Sequence, residues 1–227
     1  MRKLIVCNII SVDGFYSGPN DDVMAMPFDA PFDDYNAERL RAADTLLLGR
    51  RSFEGFKGYW PEIADREDAP PVEREISRLD NAIDKVVVSD SLTEDDLAPW
   101  TNTRIVRRAD AHGAIAELKR GDGRDIILFG SHVLWNDLLN AGLVDELHFM
   151  IGSAFLGDGV PVFSGPRTDL RPLDVQRLDD SQLILATYAA TTWPPSVAAH
   201  PCTRERARDG RPRWLRAWRR RSPASSR

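Results

Sequence analysis

The chain has 227 residues, of which 42% are hydrophobic and 29% charged, and this is typical of one large α/β domain. Its net charge of −5 is unevenly distributed, because ten arginines against Glu205 and Asp209 give the segment from Thr191 onward a charge of +8. Residues 1–190 therefore carry about −13, which argues against nucleic acid as the partner of this part of the chain.

The composition also limits the chemistry and the location that we expect. The two cysteines, Cys7 and Cys202, are too few for a disulfide framework, so we expect a reducing cytoplasm. No apolar stretch approaches the roughly 20 residues that a membrane helix needs. The four histidines are scattered and no cysteine pair has zinc spacing, so we expect no metal site.

Strand-like runs alternate with helical stretches along residues 1–190. The predicted strands are Lys3–Ile10, Thr45–Leu48, Lys85–Ser89, Arg104–Val106, Asp125–Phe129, Glu146–Ile151 and Gln182–Tyr188. The predicted helices lie near Phe32–Ala43, Ser52–Phe56, Val72–Asn81, Ala111–Lys119 and His132–Ala141. This alternation predicts an α/β fold with a mostly parallel sheet flanked by helices. Only strands follow Gly142, which predicts an antiparallel edge at the C-terminal side.

The segment from Thr191 to Arg227 departs from this pattern, since it is rich in proline and arginine. We predict a domain over residues 1–190 and a disordered tail over residues 191–227. If the stretch RWLRAWRRR is helical, Trp214, Leu215 and Trp218 share one face, so contact with an anionic surface or nucleic acid is an alternative role for the tail.

The stretch LLLGRRSFEGF contains the first of two strand-to-helix junctions that are typical of a binding site. A buried strand ends at Gly49, and a helix opens on Arg50, Arg51 and Ser52. Arginines beside the partial positive charge of a helix start cost roughly 0.3–1 kcal/mol each. They therefore indicate an anionic ligand, although surface arginines are also common without one.

The second junction lies in DIILFGSHVLWNDLLNAG. Gly130 ends a strand there, Ser131 is the predicted N-cap of the next helix, and Gly142 fits its C-terminal stop. In an open parallel sheet, ligands bind at the carboxyl ends of strands, where helix starts offer N–H groups to anions. The two junctions together suit a pyrophosphate with an additional phosphate nearby. Glycine is also common in such turns for structural reasons alone.

Seven short motifs occur in the order found in dihydrofolate reductase-like proteins, and the chain resembles this family over roughly residues 2–190. They are SVDGF, LLLGRRSFEGF, YWP, VVVSDSL, FGSHVLWNDLL, GLVDEL and LGDGVPVF. The resemblance is to the branch related to the reductase domain of bacterial riboflavin biosynthesis, the RibD C-terminal domain. It implies a dihydrofolate reductase-like fold and a homodimer.

The resemblance also implies NADPH as hydride donor, bound along the strand ends. The residues that match the family's cofactor-binding segments are Val12, Asp13, Gly14, Gly49, Arg50, Arg51, Ser52, Gly130 and Ser131. On this interpretation the two arginines meet the cofactor phosphates, and Val12–Gly14 begins the mobile loop that covers the nicotinamide. Ser131 stands where the family has a second glycine, which is compatible with binding through its backbone N–H.

One position departs from the family pattern. In VVVSDSL, relatives often carry a basic residue after the first serine, where it can face the 2′-phosphate of NADPH, and this chain has Asp90. An acid there favours the free ribose hydroxyl of NADH. Ser89 and Ser91 still offer hydrogen bonds to a phosphate, and Asp90 is also free to point to water. NADPH is therefore the expected cofactor, with NADH as the alternative.

One acid and one aromatic residue indicate the substrate side. Counting back from Gly49 without a gap, the pocket acid of dihydrofolate reductases falls on Asp33. This residue shares a helical face with Ala37 and Leu40, where a carboxylate is costly unless a ligand satisfies it. The alternative is that Asp33 caps its helix. Trp60 either lines the substrate pocket or belongs to the core.

Together these residues predict an NAD(P)H-dependent reductase that transfers hydride to a pterin- or pyrimidine-like small molecule. Asp33 is the expected catalytic and substrate-binding acid, and the protein orients the reactants and excludes water. The alternative is a nucleotide-binding module that retains the cofactor site without turnover.

Overall fold

The computed structural model describes residues 1–190, and the predicted tail 191–227 lies outside the described residues. Within residues 1–190, the chain forms ten strands and five α-helices. In order they are β1 (Leu4–Ile10), β2 (Phe15–Ser17), α1 (Ala30–Ala42), β3 (Ala43–Gly49), α2 (Arg50–Ile63), α3 (Pro71–Ala82), β4 (Asp84–Val88), β5 (Thr103–Val106), α4 (Ala111–Arg120), β6 (Asp125–Phe129), α5 (His132–Asn140), β7 (Glu146–Ile151), β8 (Val160–Pro161), β9 (Arg171–Arg177) and β10 (Ile184–Ala189). No helix in this part of the chain is long and apolar enough to span a bilayer.

Eight strands form one sheet in the order β5-β4-β3-β6-β1-β7-β10-β9, and β2 pairs with β8 in a separate ribbon. The six strands from β5 to β7 are parallel to one another. Strand β10 pairs antiparallel with β7, and β9 pairs antiparallel with β10. This confirms the predicted sheet, which is mostly parallel and has an antiparallel C-terminal edge.

Helices cover both faces of the sheet because its central strands are apolar on both sides. Leu4 and Val6 of β1 pack in the cluster that contains Trp135 of α5. Ile5, between them in the sequence, packs on the opposite face with Phe53 of α2. Each such side chain contributes roughly 1.5–3 kcal/mol on burial, so the core fixes the positions of the strand ends that carry the candidate site.

Most element boundaries agree with the sequence prediction. Strands β6 and β7 begin and end at the predicted residues, and the other predicted strands differ by at most two residues at either end. Helix α2 is longer than predicted and extends through Pro61, because Phe53, Phe56 and Trp60 continue its core-facing side. Strand β9 was not predicted, because all seven of its residues are exposed and its sequence has no apolar alternation.

Candidate functional site

The two predicted junctions meet at the carboxyl edge of the sheet, because β3 and β6 are neighbouring strands. Helix α2 begins at Arg50 directly after Gly49, and α5 begins at His132 two residues after Gly130. Neither helix start has a side-chain cap. The N–H groups of a first turn have no partner within the helix, so this edge carries two adjacent sets of donors for an anion.

Two serine hydroxyls join the junctions to each other. The backbone N–H of Gly49 donates to Ser131 Oγ over 2.9 Å, and the N–H of Ser131 donates to Ser52 Oγ over 2.8 Å. Ser131 therefore occupies the N-cap position without capping α5, which corrects the prediction for its side chain. Its φ of 50° is left-handed, a conformation that costs a non-glycine residue roughly 1–2 kcal/mol and that clusters at functional sites.

Gly130 lies in a cradle that any side chain would fill. Its φ is 59°, and a Cβ at this position would lie 3.1 Å from Ser52 Oγ and 3.3 Å from the Tyr16 hydroxyl oxygen. The Tyr16 ring stacks on His132, with 5.0 Å between the ring centroids. Burial raises the pKa of Tyr16, so its hydroxyl stays protonated and can act as a hydrogen-bond donor. Glycine is therefore needed at this position, because the Ser52 and Tyr16 hydroxyls approach its backbone closely.

Sequence reasoning did not identify Tyr16, because it lies six residues past the end of β1 and far in the chain from either junction. The short ribbon of β2 with β8 brings it to Gly130. Its place directly after the SVDGF motif was the one available signal.

The two arginines lie at the start of α2, as predicted, and each is paired with a carboxylate. Arg50 Nη1 lies 3.0 Å from Glu54 on the next turn of the helix, and Arg51 Nη1 lies 3.1 Å from Asp21 in the loop before α1. The Arg51 side chain remains 81% exposed. Exposed ion pairs contribute only about 0–1 kcal/mol, so an incoming phosphate can replace either carboxylate.

The loop Val12–Gly14 lies at the carboxyl end of β1, on the side of β6 away from β3. The Asp13 carboxylate accepts hydrogen bonds from Ser11 Oγ over 2.6 Å, from Leu156 N over 3.1 Å and from Gly157 N over 2.8 Å. The bond from Ser11 makes the largest contribution to lowering the pKa of Asp13. In this arrangement the loop is attached to the segment that follows β7.

The turn after β4 contains the position that departs from the family pattern. Ser89 is buried, and its hydroxyl accepts from the N–H groups of Ser91 and Leu92 over 3.2 and 3.1 Å, so it shapes the turn. Asp90 is exposed, and its carboxylate accepts from the N–H of Arg108 over 2.9 Å. Asp90 therefore does not simply point to water, because it is bound to the turn that follows β5.

Asp33 is not the cap of α1. Asp29 occupies the N-cap position and accepts from the N–H of Phe32 over 3.1 Å, which contradicts the capping alternative for Asp33. Asp33 is half-buried in the first turn. Burial raises the pKa of Asp33 to about 6, and the negative charge of Glu73 adds to the shift. A carboxyl group with this pKa exchanges its proton close to neutral pH.

Trp60 belongs to α2, near the residues of α3 that pack in the same cluster. It is half-buried, packs against the core cluster of Phe53, and meets the Tyr59 ring edge-on at 4.9 Å between centroids. The Tyr59 hydroxyl donates to Glu73 over 2.7 Å, and both residues are close enough to interact electrostatically with Asp33. Trp60 thus has a core role, and its position beside the Asp33 corner also suits a pocket wall.

The protein-family model of the RibD C-terminal domain matches residues 2–184 of the chain. The chain belongs to this family. Uncharacterized protein YyaP of Bacillus subtilis (strain 168) is a relative, 32% identical over 165 residues that cover 71% of this chain and 80% of YyaP.

Solved structures confirm that the fold is that of RibD-type, dihydrofolate reductase-like proteins. A putative riboflavin biosynthesis protein from Shewanella sp. PV-4 is similar with a TM-score of 0.59 and 18% identity, over 82% of this chain and 98% of that one. The diaminohydroxyphosphoribosylaminopyrimidine deaminase/5-amino-6-(5-phosphoribosylamino)uracil reductase from Thermotoga maritima is similar with a TM-score of 0.57 and 12% identity, over 83% of this chain and 56% of that one.

Proposed function

We propose that this RibD C-terminal domain protein is an NAD(P)H-dependent reductase that passes hydride to an imine or carbonyl of a pyrimidine- or pterin-like small molecule. One observation carries the proposal. Two helix starts without side-chain caps lie on neighbouring strand ends, are joined by serine hydroxyls, and surround a cradle at Gly130 that a side chain would fill. This is a site for a diphosphate held against the backbone.

NADPH, when bound, supplies hydride from C4 of its nicotinamide. The first-turn N–H groups of α2 and α5 hold the pyrophosphate, together with the hydroxyls of Ser52, Ser131 and Tyr16. Arg50 and Arg51 neutralise phosphate charge at the edge of the junction. The loop Val12–Gly14 covers the nicotinamide end and excludes water.

The substrate binds on the side of Asp33. Because burial raises the pKa of Asp33 to about 6, its carboxyl can hold a proton near neutral pH and deliver it to a ring nitrogen or oxygen of the substrate. Trp60 forms part of the pocket wall. The name of the Thermotoga maritima protein, a uracil reductase, supports a pyrimidine as the substrate class.

The test uses the purified full-length chain. We expect NADPH, and more weakly NADH, to bind and to raise the melting temperature. Reduced nicotinamide absorbance should then fall when pyrimidines bearing an imine or carbonyl are added. Binding without loss of absorbance for any acceptor would favour the nucleotide-binding module, and binding of neither cofactor would overturn the proposal.

From the family resemblance we further propose that residues 1–190 are the reductase domain of a cytoplasmic homodimer. Its partner is a small molecule rather than nucleic acid, in agreement with the charge of about −13 on this part of the chain.

A further inference from the structure

His148 is a buried histidine in β7, and both of its ring nitrogens have partners. Nδ1 lies 2.7 Å from the hydroxyl oxygen of Tyr35 on α1, and Nε2 lies 3.1 Å from a carboxylate oxygen of Glu146. Glu146 also accepts from Lys3 Nζ over 2.7 Å. A chain of hydrogen-bonded groups therefore runs from the start of β7 to α1, and the proposed chemistry does not use it.

The charge of Glu146 decides the direction of these hydrogen bonds. Burial alone would raise the pKa of Glu146, but the hydrogen bonds from Lys3 and His148 outweigh it and lower the pKa, so the ionised carboxylate can only accept. Nε2 of His148 therefore donates to Glu146. Burial lowers the pKa of His148, so the ring is neutral near neutral pH and its Nδ1 is an acceptor. Tyr35, whose pKa is raised by burial, stays protonated and donates to Nδ1.

The first turn of α1 has little apolar packing to hold it in place. The buried residues of this helix all lie after Tyr35, and they are Asn36, Ala37 and Leu40. Phe32, in the first turn, is only partly buried. Polar contacts hold this end of the helix at two points. The N-cap carboxylate of Asp29 accepts from Ser181 Oγ over 2.6 Å, and the Tyr35 hydroxyl is bound to His148.

Asp33 lies in the chain between these two points. Tyr35 is two residues further along the helix, so the two side chains project from opposite sides of α1. A fixed Tyr35 therefore sets the rotation of α1 about its axis and the direction of the Asp33 carboxyl.

We propose that His148 is a positioning residue, which holds the first turn of α1, and with it Asp33, through the Tyr35 hydroxyl. This inference rests on the proposed function, in which Asp33 faces the substrate.

The experiment measures the pKa of Asp33 in the ligand-free full chain, by NMR of the side-chain carboxyl carbon, with Asp33→Asn used to assign the signal. Tyr35→Phe removes only the hydroxyl, and His148→Leu removes its acceptor. In both variants the first turn should loosen and admit water to the carboxyl. The pKa of Asp33 should then fall from about 6 towards the ordinary value near 4, by roughly 0.5 or more.

Two further variants are the controls. His148→Asn keeps an oxygen near the position of Nδ1, so Tyr35 retains an acceptor, and the pKa of Asp33 should stay closer to 6 than in His148→Leu. Tyr188→Phe removes a tyrosine hydroxyl from β10, where the ring packs in the cluster on the opposite face of the sheet. It should leave the pKa of Asp33 unchanged.

An unchanged Asp33 pKa in Tyr35→Phe would overturn the proposal even if this variant unfolds more easily, because the hydrogen bonds would then serve stability alone. A fall in Tyr188→Phe as large as in Tyr35→Phe, or in His148→Asn as large as in His148→Leu, would also overturn it. None of these measurements requires turnover, so they fail or succeed separately from the proposed function, which the kinetics of Asp33→Asn test.

Discussion

The Asp33 carboxyl is partly buried and has a raised pKa. We therefore expect its removal to increase stability and to decrease activity. Asp33→Asn keeps the shape and loses the ionisable group. We expect kcat/KM to fall at least tenfold, on the order of 1.4 kcal/mol of transition-state stabilisation, with unchanged NADPH affinity. Single-substrate kinetics and a cofactor titration measure both quantities.

Asp33→Asn should raise the free energy of unfolding, although it lowers kcat/KM. Because the folded-state pKa is raised to about 6 from the ordinary value near 4, the ionisation of Asp33 destabilises the fold progressively as the pH rises from about 4, and the full effect is reached above about pH 6. Asp33→Asn should therefore be more stable at pH 7, on the order of 1 kcal/mol after allowance for partial exposure, and the advantage should disappear as the pH falls towards 4. Asp34→Asn, on the exposed side of α1, is the control. Unchanged kcat/KM in Asp33→Asn would place this residue outside the substrate pocket.

The β3–α2 and β6–α5 junctions act as one element, because Ser131 contacts both. Gly130→Ala tests this element. A left-handed alanine costs roughly 1–2 kcal/mol, so the ligand-free protein should lose about that much stability. Its Cβ would also occupy the cradle beside Ser52 and Tyr16, so NADPH and NADH should each bind at least tenfold more weakly. Chemical denaturation and cofactor titration measure the two effects.

The matched control is Gly113→Ala in α4, where a Cβ meets nothing within 4 Å and the backbone is helical. It should stabilise the fold by roughly 0.5–1 kcal/mol and leave cofactor binding unchanged. If Gly130→Ala binds both cofactors as tightly as the unaltered chain, the pyrophosphate does not lie at this junction.

At the scale of the whole molecule, the sequence predicts the parallel sheet well because its strands are buried on both faces and read as continuous apolar runs. The same physics explains the strands that it does not predict. The seven residues of β9 are all exposed, and β2 and β8 have only three and two residues. Such strands form because they hydrogen-bond to a neighbouring strand, and the local sequence pattern carries no information about that neighbouring strand.

The residues of the candidate site also fall into those that the sequence identifies and those that it does not. Gly49 and Gly130 are found from the sequence because a glycine between a strand and a helix is a local signal. Tyr16 is not, because it reaches the site through pairing between distant segments. The correction at Ser131 has this origin too, since its hydroxyl serves Gly49, 82 residues away, instead of its own helix.

The attachment of Asp13 to the segment after β7 has a consequence for how the ligand-free protein moves. The amides of Leu156 and Gly157 lie in an irregular segment near the surface, where backbone N–H groups normally exchange with solvent deuterium without protection. Both donate to a carboxylate more than 140 residues earlier in the chain. Their exchange should therefore be slow for as long as the Val12–Gly14 loop keeps these two hydrogen bonds. The exchange rate of these two amides is then a direct measure of how often that loop opens.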